Sequence, residues 1–106
     1  MSVRTEINGR VLTVYLEGEI DHHSARHMRE IIDASILSSA PQMLVLDFKD
    51  VPFMDSSGIA LIMKIHRRMS LCGGRVWVEN AAKQPLRVID TSGIDRIIKI
   101  SSVREA

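Results

Sequence analysis

The six residues MLVLDF, Met43–Phe48, constrain the fold more than any other stretch of this chain. They form a nearly continuous apolar run. Such a run predicts a strand buried on both faces, and so a central position in a sheet. A polar cluster follows at once in VPFMDSSGIALIM, Val51–Met63, and the hydrophobic period then changes from strand to helix. With Ile59 set at zero and about 100° per residue, Ile62, Ile65, His66 and Met69 share one side. Lys64, Arg67 and Arg68 share the other. The tandem Gly73-Gly74 ends the helix.

The flanking segments repeat this strand–helix alternation. SVRTEINGRVLTVYLEG reads as a hairpin. Val3, Thr5 and Ile7 alternate with Arg4, Glu6 and Asn8, and Leu12, Val14 and Leu16 alternate with Thr13, Tyr15 and Glu17. Asn8-Gly9 is expected at the centre of a tight primed turn, with positive φ at both residues. In DHHSARHMREIIDASILSS, Met28, Ile31, Ile32, Ser35 and Ile36 follow helical spacing, and Arg26, Arg29, Glu30 and Asp33 fall opposite. Asp21 or Ser24 is expected to cap that helix, and Pro41 closes the loop after it. RVWVE, Arg75–Glu79, is a further strand. KQPLRVIDTSG is a short helix with Pro85 near its first turn and Gly93 past its end. IIKI, Ile97–Ile100, is expected as an edge strand. The order is β-β-α-β-α-β-α-β. Right-handed crossovers then give an α/β fold: an antiparallel N-terminal hairpin joined to parallel strands in one small mixed sheet.

At 106 residues the chain is expected to be one domain, residues 1–106. Fourteen basic and thirteen acidic residues leave a formal net charge of +1. That balance gives no electrostatic reason to expect nucleic acid or an anionic membrane. No apolar run approaches the roughly 18 residues that span a bilayer, and MSVRTEING lacks the apolar core of a signal peptide. Cys72, the single cysteine, fits a reducing cytoplasm and reads as a buried or half-buried bystander.

The DSSG at Asp55–Gly58 admits three readings: a helix cap, a catalytic nucleophile or a phosphorylation site. Taken alone it reads first as a cap. Asp55, Ser56 or Ser57 can accept from the unpaired N–H groups of the helix, and Gly58 keeps the first turn uncluttered. A hydrolase would need a histidine and an acid near Ser56, which Asp21, His22 and His23 could supply. Yet G-x-S-x-G is missing, since Met54 and Gly58 flank Ser56 at those positions. No second glycine loop offers an oxyanion hole, and the domain leaves little room for a substrate pocket. Asp21-His22-His23, with His27 and His66, completes no metal-ligand spacing. The phosphoesterases named for a DHH string are much longer and need further aspartate motifs that are absent here. The face formed by Lys64, Arg67 and Arg68 reads as solvated.

Four pieces in this order carry a more specific signal: GEIDHHSA at Gly18–Ala25, FMDSSGIALIM at Phe53–Met63, Gly73-Gly74, and DTSGI at Asp90–Ile94. On these the chain resembles the bacterial anti-sigma-factor antagonists of the STAS domain family, of the sporulation or general-stress type. GEIDHH looks closer to the sporulation type. The resemblance runs from the hairpin to Ile100. It implies a STAS-like fold and a regulatory protein that is not an enzyme and holds no cofactor. Such proteins bind a GHKL-type serine kinase that doubles as an anti-sigma factor, and binding frees the sigma factor. The kinase phosphorylates the serine after the motif aspartate, which releases the antagonist, and a PP2C-type phosphatase restores it. By alignment that serine is Ser56. The implied partner surface comprises Glu19, Asp21, His22, Asp55, Ser56, Ser57, Gly58 and Ile59. The alternative is a STAS scaffold or regulatory domain, such as the tail of an anion transporter, that acts on no sigma factor. Two departures stand out. Family members usually carry a longer final helix than the residues after Ile100 allow, so that helix is expected to be short or cut. Pro85 lies where the family has a helix, so that helix is expected to begin late.

Overall fold

The computed structural model describes residues 2–102. Its elements are β1 (Ser2–Asn8), β2 (Val11–Glu17), α1 (His22–Ser39), β3 (Met43–Asp50), α2 (Ser56–Leu71), β4 (Arg75–Ala81), α3 (Lys83–Ser92) and β5 (Lys99–Ser102), with a turn of 3-10 helix at Ile94–Arg96 before β5. The expected order of strands and helices is therefore present. The five strands form one sheet in the order β1-β2-β3-β4-β5. β1 pairs antiparallel with β2, and the other pairs are parallel.

Strands β2 to β5 follow one another in space as they do in sequence, so right-handed crossovers carry all three helices to one face of the sheet. Burial alternates accordingly. Leu12, Val14 and Leu16 of β2, Leu44, Leu46 and Phe48 of β3, and Val76 and Val78 of β4 are buried with the helix residues Met28, Ile32, Leu61, Ile62 and Ile65. The residues between them on each strand face away. β3 is central as expected, but helices cover only one of its faces. Val45, on the other face, still reaches 7% exposure, because Thr13 and Trp77 flank it in register. Long cations shield the aromatic rings there: the Arg4 guanidinium lies 4.0 Å from the Tyr15 ring centre and the Lys99 ammonium 4.4 Å from that of Trp77.

Several local expectations shift. In the hairpin Asn8 pairs with Val11, so Gly9 and Arg10 are the central turn residues. Gly9 has φ +62°, and Asn8 belongs to the strand. A two-residue loop with glycine first suits a turn that needs positive φ only there. The buried stripe of α2 is Gly58, Leu61, Ile62, Ile65 and Met69. The core therefore lies toward Leu61, and Ile59 and His66 sit half-buried on its flank. α3 begins at Lys83 rather than late: Pro85 occupies its first turn, where the ring removes no helical hydrogen bond. β5 begins two residues after the expected start because Ile97 ends the 3-10 turn, its N–H donating to Ile94. Cys72 is exposed rather than buried. The expected short or cut final helix falls on residues 103–106, outside the described residues.

Candidate functional site

The ends of β2 and β3 lead into two adjacent loops, and main-chain hydrogen bonds zip those loops together. Gly18 N–H donates to the Asp50 carbonyl at 3.0 Å, Ile20 N–H to the Phe53 carbonyl at 3.0 Å, and Asp55 N–H to the Ile20 carbonyl at 3.1 Å. Ile20 and Met54 form an isolated parallel bridge, and both side chains are fully buried. The sheet thus continues as a narrow ribbon up to the starts of α1 and α2. That ribbon sets the two helix N-termini side by side at one end of the molecule.

Each helix carries an aspartate cap. Asp21 accepts from Ser24 N–H at 2.8 Å, and Asp21 N–H donates to Ser24 Oγ at 2.9 Å, a reciprocal capping box. Ser24 also donates its hydroxyl proton to the Glu19 carbonyl at 2.9 Å. Asp21 is therefore the N-cap, and Ser24 answers it from three residues on. The Ser24 N–H bond holds the Asp21 carboxyl below the usual carboxylate range. In α2 the cap is Asp55, which accepts from Ser57 N–H at 2.8 Å. Ser56, the first helical residue, is exposed, and its hydroxyl makes no hydrogen bond to another described residue.

Glu19, Asp21, His22 and Ser56 are exposed, and Asp55, Ser57 and Ile59 are half-buried. The structure brings these predicted residues to the same end of the sheet. Gly58 is different: it is buried, and its role there is close approach. A Cβ on it would lie 2.6 Å from Met54 Sδ and 3.1 Å from Met54 Cβ. The two adjacent serines also face different surroundings. Ser56 borders an open apolar groove with Ile59, Val88 and Thr91, between α2 and α3. Ser57 borders a cleft with His22, Arg26, Arg29 and Lys64, between α1 and α2.

One supporting residue escapes sequence reading. Gln84, at the start of α3, clamps the loop before the site: Met54 N–H donates to Gln84 Oε1 at 2.9 Å, and Gln84 Nε2 donates to the Met54 carbonyl at 3.1 Å. Thirty residues separate the two, and a lone glutamine in an amphipathic helix gives no sign of this. Exposed Phe53 at the loop tip also lay outside the predicted set. No group of three or more histidine, cysteine or acidic side chains converges as a metal site among the described residues. No helix among them is long and apolar enough to cross a membrane.

Comparison with known proteins agrees with this architecture. The chain is 32% identical over 100 residues to the anti-sigma F factor antagonist of Paenibacillus polymyxa, covering 94% of this chain and 86% of that protein. It is 30% identical over 105 residues to the anti-sigma-B factor antagonist of Bacillus subtilis strain 168, covering 99% and 94%. The solved structure of the anti-sigma factor antagonist SpoIIAA in its unphosphorylated form superposes with a TM-score of 0.81 at 26% identity, over 95% of this chain and 89% of that one. The STAS domain model matches residues 2–106, and the chain belongs to the STAS domain family.

Proposed function

We propose that this protein is an anti-sigma-factor antagonist, a cytoplasmic binding protein rather than an enzyme. It binds a GHKL-type anti-sigma factor with serine-kinase activity and so frees a sigma factor. The kinase phosphorylates Ser56 and ends the interaction, and a PP2C-type phosphatase restores it. The observation that carries this reading is the placement of Ser56: exposed, on the first residue of a rigidly framed helix, and not needed for the cap. The named relatives support it, since they are anti-sigma factor antagonists, and SpoIIAA is known in a phosphorylated form.

The electrostatics suit such a switch. A phosphate on Ser56 lies at a helix N-terminus, a ready anion site, where exposed charge gains about 0.3–1 kcal/mol. The fold therefore tolerates the modification. The same group adds roughly −1.5 to −2 charge beside Asp55. Burying that charge unmatched in an interface costs on the order of 2–5 kcal/mol, enough to reverse binding. Incubation with the cognate kinase and ATP, followed by mass spectrometry, tests the assignment. Phosphate on Ser56 is expected; phosphate on Ser57 alone, or on neither, contradicts it.

A further inference from the structure

The cationic cleft beside Ser57 does not end at the site. It continues between the exposed faces of α1 and α2 into a second cavity that Arg67, Arg68 and Leu71 border. From Ser57 to Leu71 the strip is about 21 Å long at 1.5 Å per helical residue. The acidic residues among these side chains are few. Asp33 serves both Arg29, at 3.4 Å, and Arg68, at 3.6 Å, and Glu30 lies 3.9 Å from Arg26. Lys64 and Arg67 have no carboxylate partner among the described residues. Five cations against two carboxylates leave a local excess of three positive charges, on a chain whose formal net charge is +1.

At its far end the strip turns apolar. Leu71 is 84% exposed and Leu37 77%, the highest values among the exposed large hydrophobic residues described. Leu37 stands one helical turn beyond Asp33 on the same face of α1. Leu71 borders the cavity that Asp33 also lines. Cations followed by two open leucines, in a furrow between parallel helices, match the pattern of an amphipathic helix laid in a groove.

We propose that the α1–α2 furrow docks an acidic amphipathic helix of a partner protein. The carboxylates of that helix meet Arg26, Lys64 and Arg67, and its apolar end covers Leu37 and Leu71. The length of the strip and its apolar end favour such a segment over a single phosphate, which would engage only the Ser57 end. This furrow and the groove that Ser56 borders lie on adjoining flanks of α2 and meet at Ala60, but Ser56 lines only the latter, so the proposal does not depend on the reading of Ser56.

The test is an NMR titration of the isotope-labelled full chain with a synthetic helical peptide that carries glutamates along one face and two leucines at one end. Shifts are expected along α1 and α2 from Arg26 to Leu71. Lys64→Glu with Arg67→Glu should weaken binding roughly tenfold or more, as should a peptide with glutamines for glutamates. Lys99→Glu, on the far face of the sheet, should leave it unchanged. The exchanged side chains are exposed, and unchanged backbone spectra of the free variants will show that they fold. Scattered shifts, or equal binding by the glutamine peptide, overturn the proposal. So does inorganic phosphate reproducing the full pattern, which would make this a phosphate site. Concentration-dependent shifts of the same residues without peptide also overturn it, since a second copy would then be the occupant.

Discussion

Replacing Gly58 by alanine tests whether the site depends on the close approach of α2 to the preceding loop. Helix propensity alone favours the change by about 1 kcal/mol. The structure opposes it. The new Cβ would lie 2.6 Å from Met54 Sδ, 3.1 Å from its Cβ and 3.2 Å from its Cγ. The sulfur could swing away from an open position, but Met54 is fully buried. Its Cβ cannot retreat either, because Gln84 holds both its N–H and its carbonyl. Overpacking of this kind costs roughly 1–3 kcal/mol. The net effect is a loss of up to about 2 kcal/mol. For a chain of this size each kcal/mol moves the melting midpoint by about 4 °C.

A double-mutant cycle isolates the cause. Met54→Ala removes the sulfur and Cγ and costs about 2–5 kcal/mol by itself through the cavity it leaves. In that background Gly58→Ala is expected to be neutral or stabilising, with a coupling of about 1–3 kcal/mol. Urea unfolding with unchanged slope gives both numbers. If Gly58→Ala stabilises the native background by about 1 kcal/mol, or costs the same in both backgrounds, the contact with Met54 is not what glycine is there for.

Three further predictions concern the frame of the site. Gln84→Ala strips partners from the N–H and carbonyl of buried Met54 and should cost about 1–3 kcal/mol in urea unfolding, loosening the Ser56 loop in hydrogen exchange. Asp55→Ala removes the α2 cap and should cost about 0.5–2 kcal/mol, whereas Ser56→Ala, an exposed change outside the cap, should stay within about 0.5 kcal/mol of the native protein. Asp21 has its pKa lowered in the folded state, mainly by the Ser24 N–H bond. Its contribution is therefore present above the unfolded-state pKa of about 3.9 and is lost as pH falls through the lower folded-state value. Stability measured against pH should show this acid-side decline in the native protein and lose that component in Asp21→Asn.

Much of the fold was legible because local patterns and tertiary demands agree. The run Met43–Phe48 marks the central strand, the alternation in Val11–Glu17 marks a strand with one covered face, and Gly93 closes α3 in the left-handed conformation that glycine favours. Errors arose where a signal was ambiguous by a residue or where long-range contacts decide. Asn8-Gly9 fits a hairpin in two registers, and cross-strand pairing chose the one centred on Gly9-Arg10. Continuous hydrophobicity in β3 suggested cover on both faces, but flanking side chains, not a helix, screen Val45. The helical period put Ile62, Ile65 and Met69 on the core side of α2 as the structure has them, but it centred that side toward His66 rather than Leu61, because the partners of the helix are set by α1 and the sheet. At the site, the caps could be read from residue type and spacing. The Gln84 clamp and the inequivalence of Ser56 and Ser57 could not, since both depend on which elements the fold sets beside α2.

The affinity of the cognate anti-sigma factor for this chain, measured by calorimetry before and after phosphorylation of Ser56, tests the central claim most directly. Ser56→Ala should bind about as tightly as the unmodified protein. The phosphorylated protein should lose on the order of 2–5 kcal/mol of binding, some thirtyfold to several thousandfold, while its melting midpoint stays close to the native one. Ser56→Glu, with less charge, should fall between them. If the phosphorylated, folded protein binds as tightly as Ser56→Ala, charge at Ser56 is not the switch, and the account is contradicted.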